Sequence, residues 1–173
     1  MTKPPEPWRN RITGHEDVAP DQLMASAFNF RIHPKRQQDA TGGSLDTLGW
    51  IDQIVVSHRS GTVIDGHLRV ELALSRGEPT VPVVYVDLSP EEEKIALLSL
   101  DPIAAMAGTD AENLSALLAE VHVDNQGLQA MLDELGKGIG AGVAAHKAEE
   151  KPDDSVTCPA CGFQWKLADG GDE

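Results

Sequence analysis

The apolar pattern changes period within one short stretch of the chain, and that change predicts the central unit of the fold. Ile51, Ile54, Val55 and Val56 form a compact apolar run that reads as a strand over Ile51 to Ser57. Thr62, Val63 and Ile64 form a second strand, and His58-Arg59-Ser60-Gly61 between them reads as a hairpin turn. The period then becomes helical. Asp65-Gly66 reads as a tight turn and His67 to Arg76 as a helix, with Leu68, Leu72 and Ser75 on one side and Val70, Ala73 and Leu74 widening the apolar stripe. Gly77 stands where a left-handed residue closes a helix.

On either side the same reasoning gives a mixed series of elements. Arg11 to Gly14 reads as a short strand or connection, and Asp21 to Met24 as a helical turn after Pro20. The stretch Phe28 to Pro34 is extended, because Pro34 disfavours helix at His33. Ala40, Leu45 and Leu48 fit a helix interrupted or restarted at Gly42-Gly43, with Ser44 as the new cap. Val81 to Val86 is an apolar strand whose Val-Pro start suits an edge or a strand beginning.

Ser89-Pro90-Glu91-Glu92 combines an N-cap, a proline in the first turn and a capping box. The helix it opens carries Ile95, Leu97, Leu98 and Leu100 and is expected to stop at Asp101-Pro102. Thr109 to Glu112 repeats the capping pattern ahead of Leu114, Leu117, Leu118 and Val121, all expected to face inward. A last short helix is expected from about Asn125 to Leu135, ending at Gly136, and this helical tail is expected to close over the sheet. The fold class is therefore α+β, a short mixed sheet flanked by helices.

Composition sets the limits of this domain. Only 4% of the 173 residues are aromatic, so the core must be aliphatic. Residues 1–10 are proline-rich and polar and are expected to form a loose arm, with Trp8 a candidate to pin its end. The domain proper is assigned to 11–109, a helical extension to 110–135, a flexible linker to the Gly/Ala-rich and then charged 136–155, and a tail to 156–173. Without an apolar run long enough to cross a bilayer or an apolar signal region at the start, a cytoplasmic protein with no membrane role is expected.

Charge narrows the partners. The net charge of -14 is uneven: residues 1–60 hold 7 basic and 7 acidic side chains, whereas 61–140 hold 4 and 14. Non-specific DNA affinity comes from cations displacing counterions, so a chain this acidic needs a partner or a local patch to act on DNA. Arg31, His33, Lys35 and Arg36 form the least acidic candidate patch.

The turn at Gly66 is the candidate site. A glycine there lets backbone approach a ligand closely, and the first amides of the following helix lack internal acceptors, which suits an anion. Arg69 stands one turn in and can fork onto a phosphate oxygen.

The other candidate is the pair Cys158 and Cys161 in Val156-Thr157-Cys158-Pro159-Ala160-Cys161-Gly162, the form of one zinc knuckle. A structural Zn²⁺ site needs four ligands, and this chain supplies two cysteines. Three readings stand: a half-site completed across two chains, a site completed by His146 or an acidic side chain, and a metal-free tail. A redox role is disfavoured because no helical pattern follows to lower the thiol pKa.

In order and spacing, several blocks resemble the N-terminal module of the ParB/sulfiredoxin-like superfamily. They are Asn29-Phe30-Arg31-Ile32-His33-Pro34, Gly49-Trp50-Ile51, Asp65-Gly66-His67-Leu68-Arg69 and Val81 to Ser89. The likeness covers roughly Pro20 to Thr109 and lies nearest to ParB-like domains of phages and mobile elements, including those joined to DNA methyltransferases. The resemblance implies a module that binds the phosphates of CTP or another NTP with Mg²⁺, through Gly66, His67 and Arg69, with Arg31 close by. It further implies action on DNA through a partner such as a methyltransferase; the cysteine half-site completed across two chains would make a homodimer.

Two departures qualify it. His67 stands where sulfiredoxins place their cysteine, so sulfinic acid reduction is not expected. Leu100-Asp101-Pro102-Ile103 replaces the partition proteins' second nucleotide motif. Alternatives are an NTPase or metal-dependent nuclease using the same cleft, with Asp65, His67 and Glu71 as candidate groups, and a non-catalytic dimerising adaptor.

Overall fold

The computed structural model describes residues 7–142, 155–157 and 164–166. The chain divides into two compact units, residues 1–139 and 140–173. The first contains five strands in the order β1-β5-β3-β4-β2: β1 (Ile12–Val18), β2 (Met24–Ala25), β3 (Ile54–Ser57), β4 (Thr62–Asp65) and β5 (Val81–Val86). β1 runs antiparallel to β5 with a register shift between Ile12 and Gly14; β5 is parallel to β3, β3 antiparallel to β4, and β4 parallel to β2. The sheet is mixed, as the alternation of strand and helix signals predicts.

Side-chain alternation sends successive residues to opposite faces. Ile54, Val56, Val63, Val81 and Val83 share one face at 1% exposure or less, and Val70 and Ala73 from α2 (His67–Arg76) pack on them. Each such valine or isoleucine contributes roughly 1.5–3 kcal/mol through burial. Ile64 and Val84, the alternate residues of β4 and β5, are buried too, as is Leu97 of α3 (Pro90–Ala105). On the α3 side Ser57 Oγ donates to Glu93 Oε1, tying β3 to that helix.

The start of α3 follows the sequence closely. Ser89 Oγ accepts from Glu92 N, and Glu92 Oε2 accepts from Ser89 N at 2.8 Å, completing the capping box. Arg11 locks this corner by donating to both carboxylate oxygens of Glu92 (3.1 and 2.7 Å) and to Asp87 O (2.6 Å).

Several boundaries differ from the sequence reading, each for an identifiable reason. α1 (Lys35–Leu48) is one continuous helix, not two. Gly42 and Gly43 do not break it; Gly43 is buried where a Cβ would stand 2.2 Å from Asn125 Oδ1, so a second helix needs the space. β3 begins at Ile54 rather than Ile51, since Gly49 turns with φ 71° and Ile51 is 77% exposed. β1 extends to Val18 because β5 offers it a full partner, and β5 is consequently an interior strand, with Pro82 opposite Asp17. Leu74 of α2 is exposed, as is Trp8, which pins nothing.

α3 continues through Pro102 to Ala105. α4 (Ala111–Glu120) is capped by Asp110 and buries no residue, leaving Leu117 and Val121 exposed. α5 (Gln126–Gly142) runs past Gly136, reaches the body through buried Leu128, and packs on α1 rather than over the sheet.

In the second unit β6 (Ser155–Thr157) and β7 (Gln164–Lys166) pair antiparallel, with Val156 opposite Trp165. Cys158 and Cys161 belong to the segment joining them and lie outside the described residues, as does His146.

The α1–α5 contact gives a test whose sign is decided by competition. Alanine is favoured over glycine in a helix by about 1 kcal/mol, but a Cβ on Gly127 would sit 2.7 Å from the backbone oxygen of Asp39. Overpacking of this kind costs about 1–3 kcal/mol. Gly127→Ala is therefore expected to destabilise the protein in urea unfolding, against its helix propensity.

Candidate functional site

The β4–α2 turn is built around Gly66, which caps α2 in the left-handed region with φ 93°. A Cβ there would meet Ile54 Cδ1 at 2.7 Å and the Arg69 Nε and Nη2 atoms at 3.3 Å. Backbone dihedral and packing both require glycine, and the Arg69 guanidinium lies directly against it. The first intrahelical bond runs from Val70 N to Gly66 O at 3.0 Å, and no side chain caps the helix. The amides of His67, Leu68 and Arg69 therefore precede the ladder, at the end where the helix dipole favours negative charge.

β2 brings the upstream segment to this turn. Its parallel pairing places Ala25 opposite Val63, and Ser26 N approaches His67 Nε2 at 3.4 Å. Asn29 Oδ1 accepts from Arg31 N at 3.2 Å, forming a local turn that presents the Arg31 side chain. The result is a cleft of about 280 Å³ lined by Arg31, His33, Gln37, Thr41, Asp65, Gly66, His67, Leu68, Arg69 and Asp101. All four residues singled out around the turn, Gly66, His67, Arg69 and Arg31, meet there.

Their partners were not visible in the sequence. Arg69 is paired with Asp52 and, at 3.0 Å, with Asp65. Arg31 Nε pairs with Asp101 Oδ2 at 2.7 Å, and its Nη2 donates to Leu97 O at 3.1 Å. Asp101, in the stretch that departs from the partition proteins, thus stands on the cleft wall as a counter-ion. The hydrogen bond from Arg69 holds the Asp52 carboxyl below its ordinary range. Both guanidiniums are largely buried, at 15% and 18% side-chain exposure, so their charges act through little solvent.

The two histidines have different surroundings. His67 is 6% exposed, and its Nε2 faces the amide of Ser26, so what it offers the cleft is backbone N–H more than imidazole. Its pKa lies below 6.5, first because burial penalises the imidazolium and then because Arg31 repels it. His33 keeps Nδ1 3.1 Å from Gln37 Oε1, while its Nε2 has no partner.

Beyond the cleft, a hollow of about 630 Å³ shares Gln37, Thr41 and Arg69 with it and continues past Ala40, Leu45, Ile51 and Met131. Gln37 and Thr41, one turn apart on α1, line both spaces, a wall that the sequence reading did not single out. The proposed basic patch is neutralised: Lys35 pairs with Asp39 and Arg36 with Glu134, in addition to the Arg31–Asp101 pair. Among the described residues no group of three or more His, Cys, Asp or Glu side chains converges as a metal cluster, and Glu71 is exposed on α2. Nor is any helix among them long and apolar enough to cross a membrane.

Comparison with known structures places this architecture. The chain resembles the C-terminally truncated chromosome-partitioning protein ParB from Caulobacter crescentus complexed with CTP-γ-S, with a TM-score of 0.52 and 15% sequence identity over 77% of this chain and 88% of that one. Similarity extends to a C2221 form of a Pnob8-like ParB-N domain (TM-score 0.43, 16% identity, 91% of this chain and 59% of that one). A pNOB8-like ParB N-domain gives a TM-score of 0.44 and 15% identity over 93% and 56%. No family model and no curated protein matches the sequence. The fold is that of a ParB-like domain.

His67 carries a pH prediction. The unfolded chain protonates this imidazole near 6.5, whereas the folded chain resists until lower pH, so the unfolded state binds more protons in that window. Stability from this group is complete above 6.5 and is lost as pH falls toward the lower folded value. The melting temperature, followed by circular dichroism, is expected to fall between about pH 7.5 and 5.5, and His67→Gln to flatten that slope.

Proposed function

We propose that this protein is a ParB-like nucleotide-binding module whose Gly66 cleft takes the phosphates of a nucleoside triphosphate. The observation that carries the reading is the convergence of uncapped α2 amides with two guanidiniums, Arg31 and Arg69, on one cleft. At about 280 Å³ the cleft is small for a whole nucleotide, since ligand pockets commonly span about 300–1,000 Å³. It suits the phosphates, with the sugar and base extending into the larger apolar hollow along α1. The CTP-γ-S held by the Caulobacter protein of like fold supports a triphosphate as the ligand class.

Binding here is an exchange of partners. Asp52, Asp65 and Asp101 hold the guanidiniums in the absence of ligand, and phosphate oxygens replace some of those carboxylates. Asp52 and Asp101, at 69% and 60% side-chain exposure, can turn into solvent at little cost, whereas Asp65 at 29% is more confined. Mg²⁺ is a hard cation that takes oxygen ligands and accompanies triphosphates. Asp65, the more confined carboxylate on the cleft wall, would hold it once phosphate takes over Arg69. The ligand-loaded module would act in DNA transactions through a partner, such as a methyltransferase of a mobile element, because Lys35 and Arg36 of the upstream patch are paired and the chain is strongly acidic. A dimer joined through the tail cysteines Cys158 and Cys161 around Zn²⁺ completes the proposal, two chains supplying four thiolates.

Calorimetric titration with CTP, ATP and GTP, each with Mg²⁺, tests the central claim. At least one is expected to bind with one site per chain, and Arg31→Ala to weaken binding about tenfold or more. Saturation with none of them would rule the reading out. The partner-exchange account adds an opposite sign: Asp52→Asn removes one of the two carboxylates that hold Arg69 and is expected to tighten binding a few-fold.

A further inference from the structure

We propose that His33 is a direct ligand of the anion in this cleft, donating from Nε2 to a phosphate oxygen; this rests on the nucleotide reading above. Among the described residues, His33 Nε2 is the one buried side-chain polar atom without a hydrogen-bond partner. Buried polar groups are nearly always satisfied, so an orphan of this kind asks for a missing partner. The imidazole lines the same cleft as Arg31, Gly66 and Arg69.

The rest of the residue is pinned. Nδ1 lies 3.1 Å from Gln37 Oε1, and the His33 carbonyl accepts from Gln38 Nε2 at 2.9 Å, both at the start of α1. Pro34 follows directly and fixes the chain as the helix N-cap. The ring is thus oriented by three features of its own segment, none of which uses Nε2.

No group on the wall bonds that nitrogen. Asp65 is engaged by Arg69 at 3.0 Å and Asp101 by Arg31 at 2.7 Å, and His67 turns its own Nε2 to Ser26. A partner has to come from the cleft, where two guanidiniums and free amides select an anionic oxygen. The two ends of the Gln37 amide are interchangeable, and with its nitrogen turned to Nδ1 the ring proton resides on Nε2, which then donates. Gln37 is accordingly a positioning residue, and His33 the contact.

The probes are inorganic triphosphate and CTP, each with Mg²⁺, titrated into the full chain. Long-range ¹H–¹⁵N spectra report the ring nitrogens, with the His33 signals identified by their loss in His33→Gln. On saturation the His33 Nε2 resonance is expected to shift. His33→Asn, whose amide reaches only the Nδ1 position, is expected to weaken binding about tenfold, while His33→Gln, whose amide reaches the Nε2 position, stays within about threefold of wild type. Equal losses in both variants with a stationary Nε2 signal would mean a merely structural ring and would overturn the contact. So would unchanged affinity in His33→Asn. If the wild-type chain bound neither probe, the nucleotide reading itself would fail, a result distinct from binding that ignores His33.

Discussion

The left-handed turn at Gly66 is the constraint on which the rest of the site depends. Ile54 fills the space a side chain would take, and Arg69 presses on the same point from the helix, so the backbone itself forms the cleft floor. An L-residue here would add the left-handed penalty of about 1–2 kcal/mol to a clash with the core. Because Ile54 is fully buried in the central strand, the position of the floor is set by the sheet and not by a loop. The α2 amides are therefore presented at a fixed height above the core, a rigid placement that recognition of a small anion requires.

Around that floor the charges are arranged as pairs drawn from distant parts of the chain. Arg31 reaches Asp101 and Arg69 reaches Asp52, closing loops of many residues with single ion pairs. This lets a strongly acidic protein keep two buried guanidiniums without leaving either uncompensated, since an unpaired buried charge costs far more than an exchanged one. α3 contributes to this arrangement through Leu97 O and Asp101, both held by Arg31.

Much of the architecture is legible in the sequence because it is local. The α2 boundaries follow from Gly66 and Gly77, the α3 start from Ser89 and Glu92, and the hairpin from Gly61 with φ 71°. The likeness to ParB-like domains was carried by the order of these blocks and agrees with the fold of the Caulobacter structure. Errors arose where tertiary partners override local signals. Gly42-Gly43 reads as a break, yet the helix runs through it because α5 docks there. Pro102 reads as a stop, yet α3 passes it, losing one backbone donor. The four residues named around the turn line one cleft; their carboxylate partners were not legible, since pairing between positions 31 and 101 or 52 and 69 leaves no periodic trace. The unpartnered nitrogen of His33 is likewise invisible until the groups around it are placed.

The outer strands show how this sheet ends. One margin, β2, is only two residues long, and the other, β1, carries His15, Glu16 and Asp17 in succession after an irregular step at Gly14. A second sheet approaching β1 would have to bring its own backbone past two adjacent carboxylates while matching a shifted ladder. Stacking of copies edge to edge into fibrils is thereby discouraged, although the interior strands, rich in valine and isoleucine, would otherwise be well suited to it.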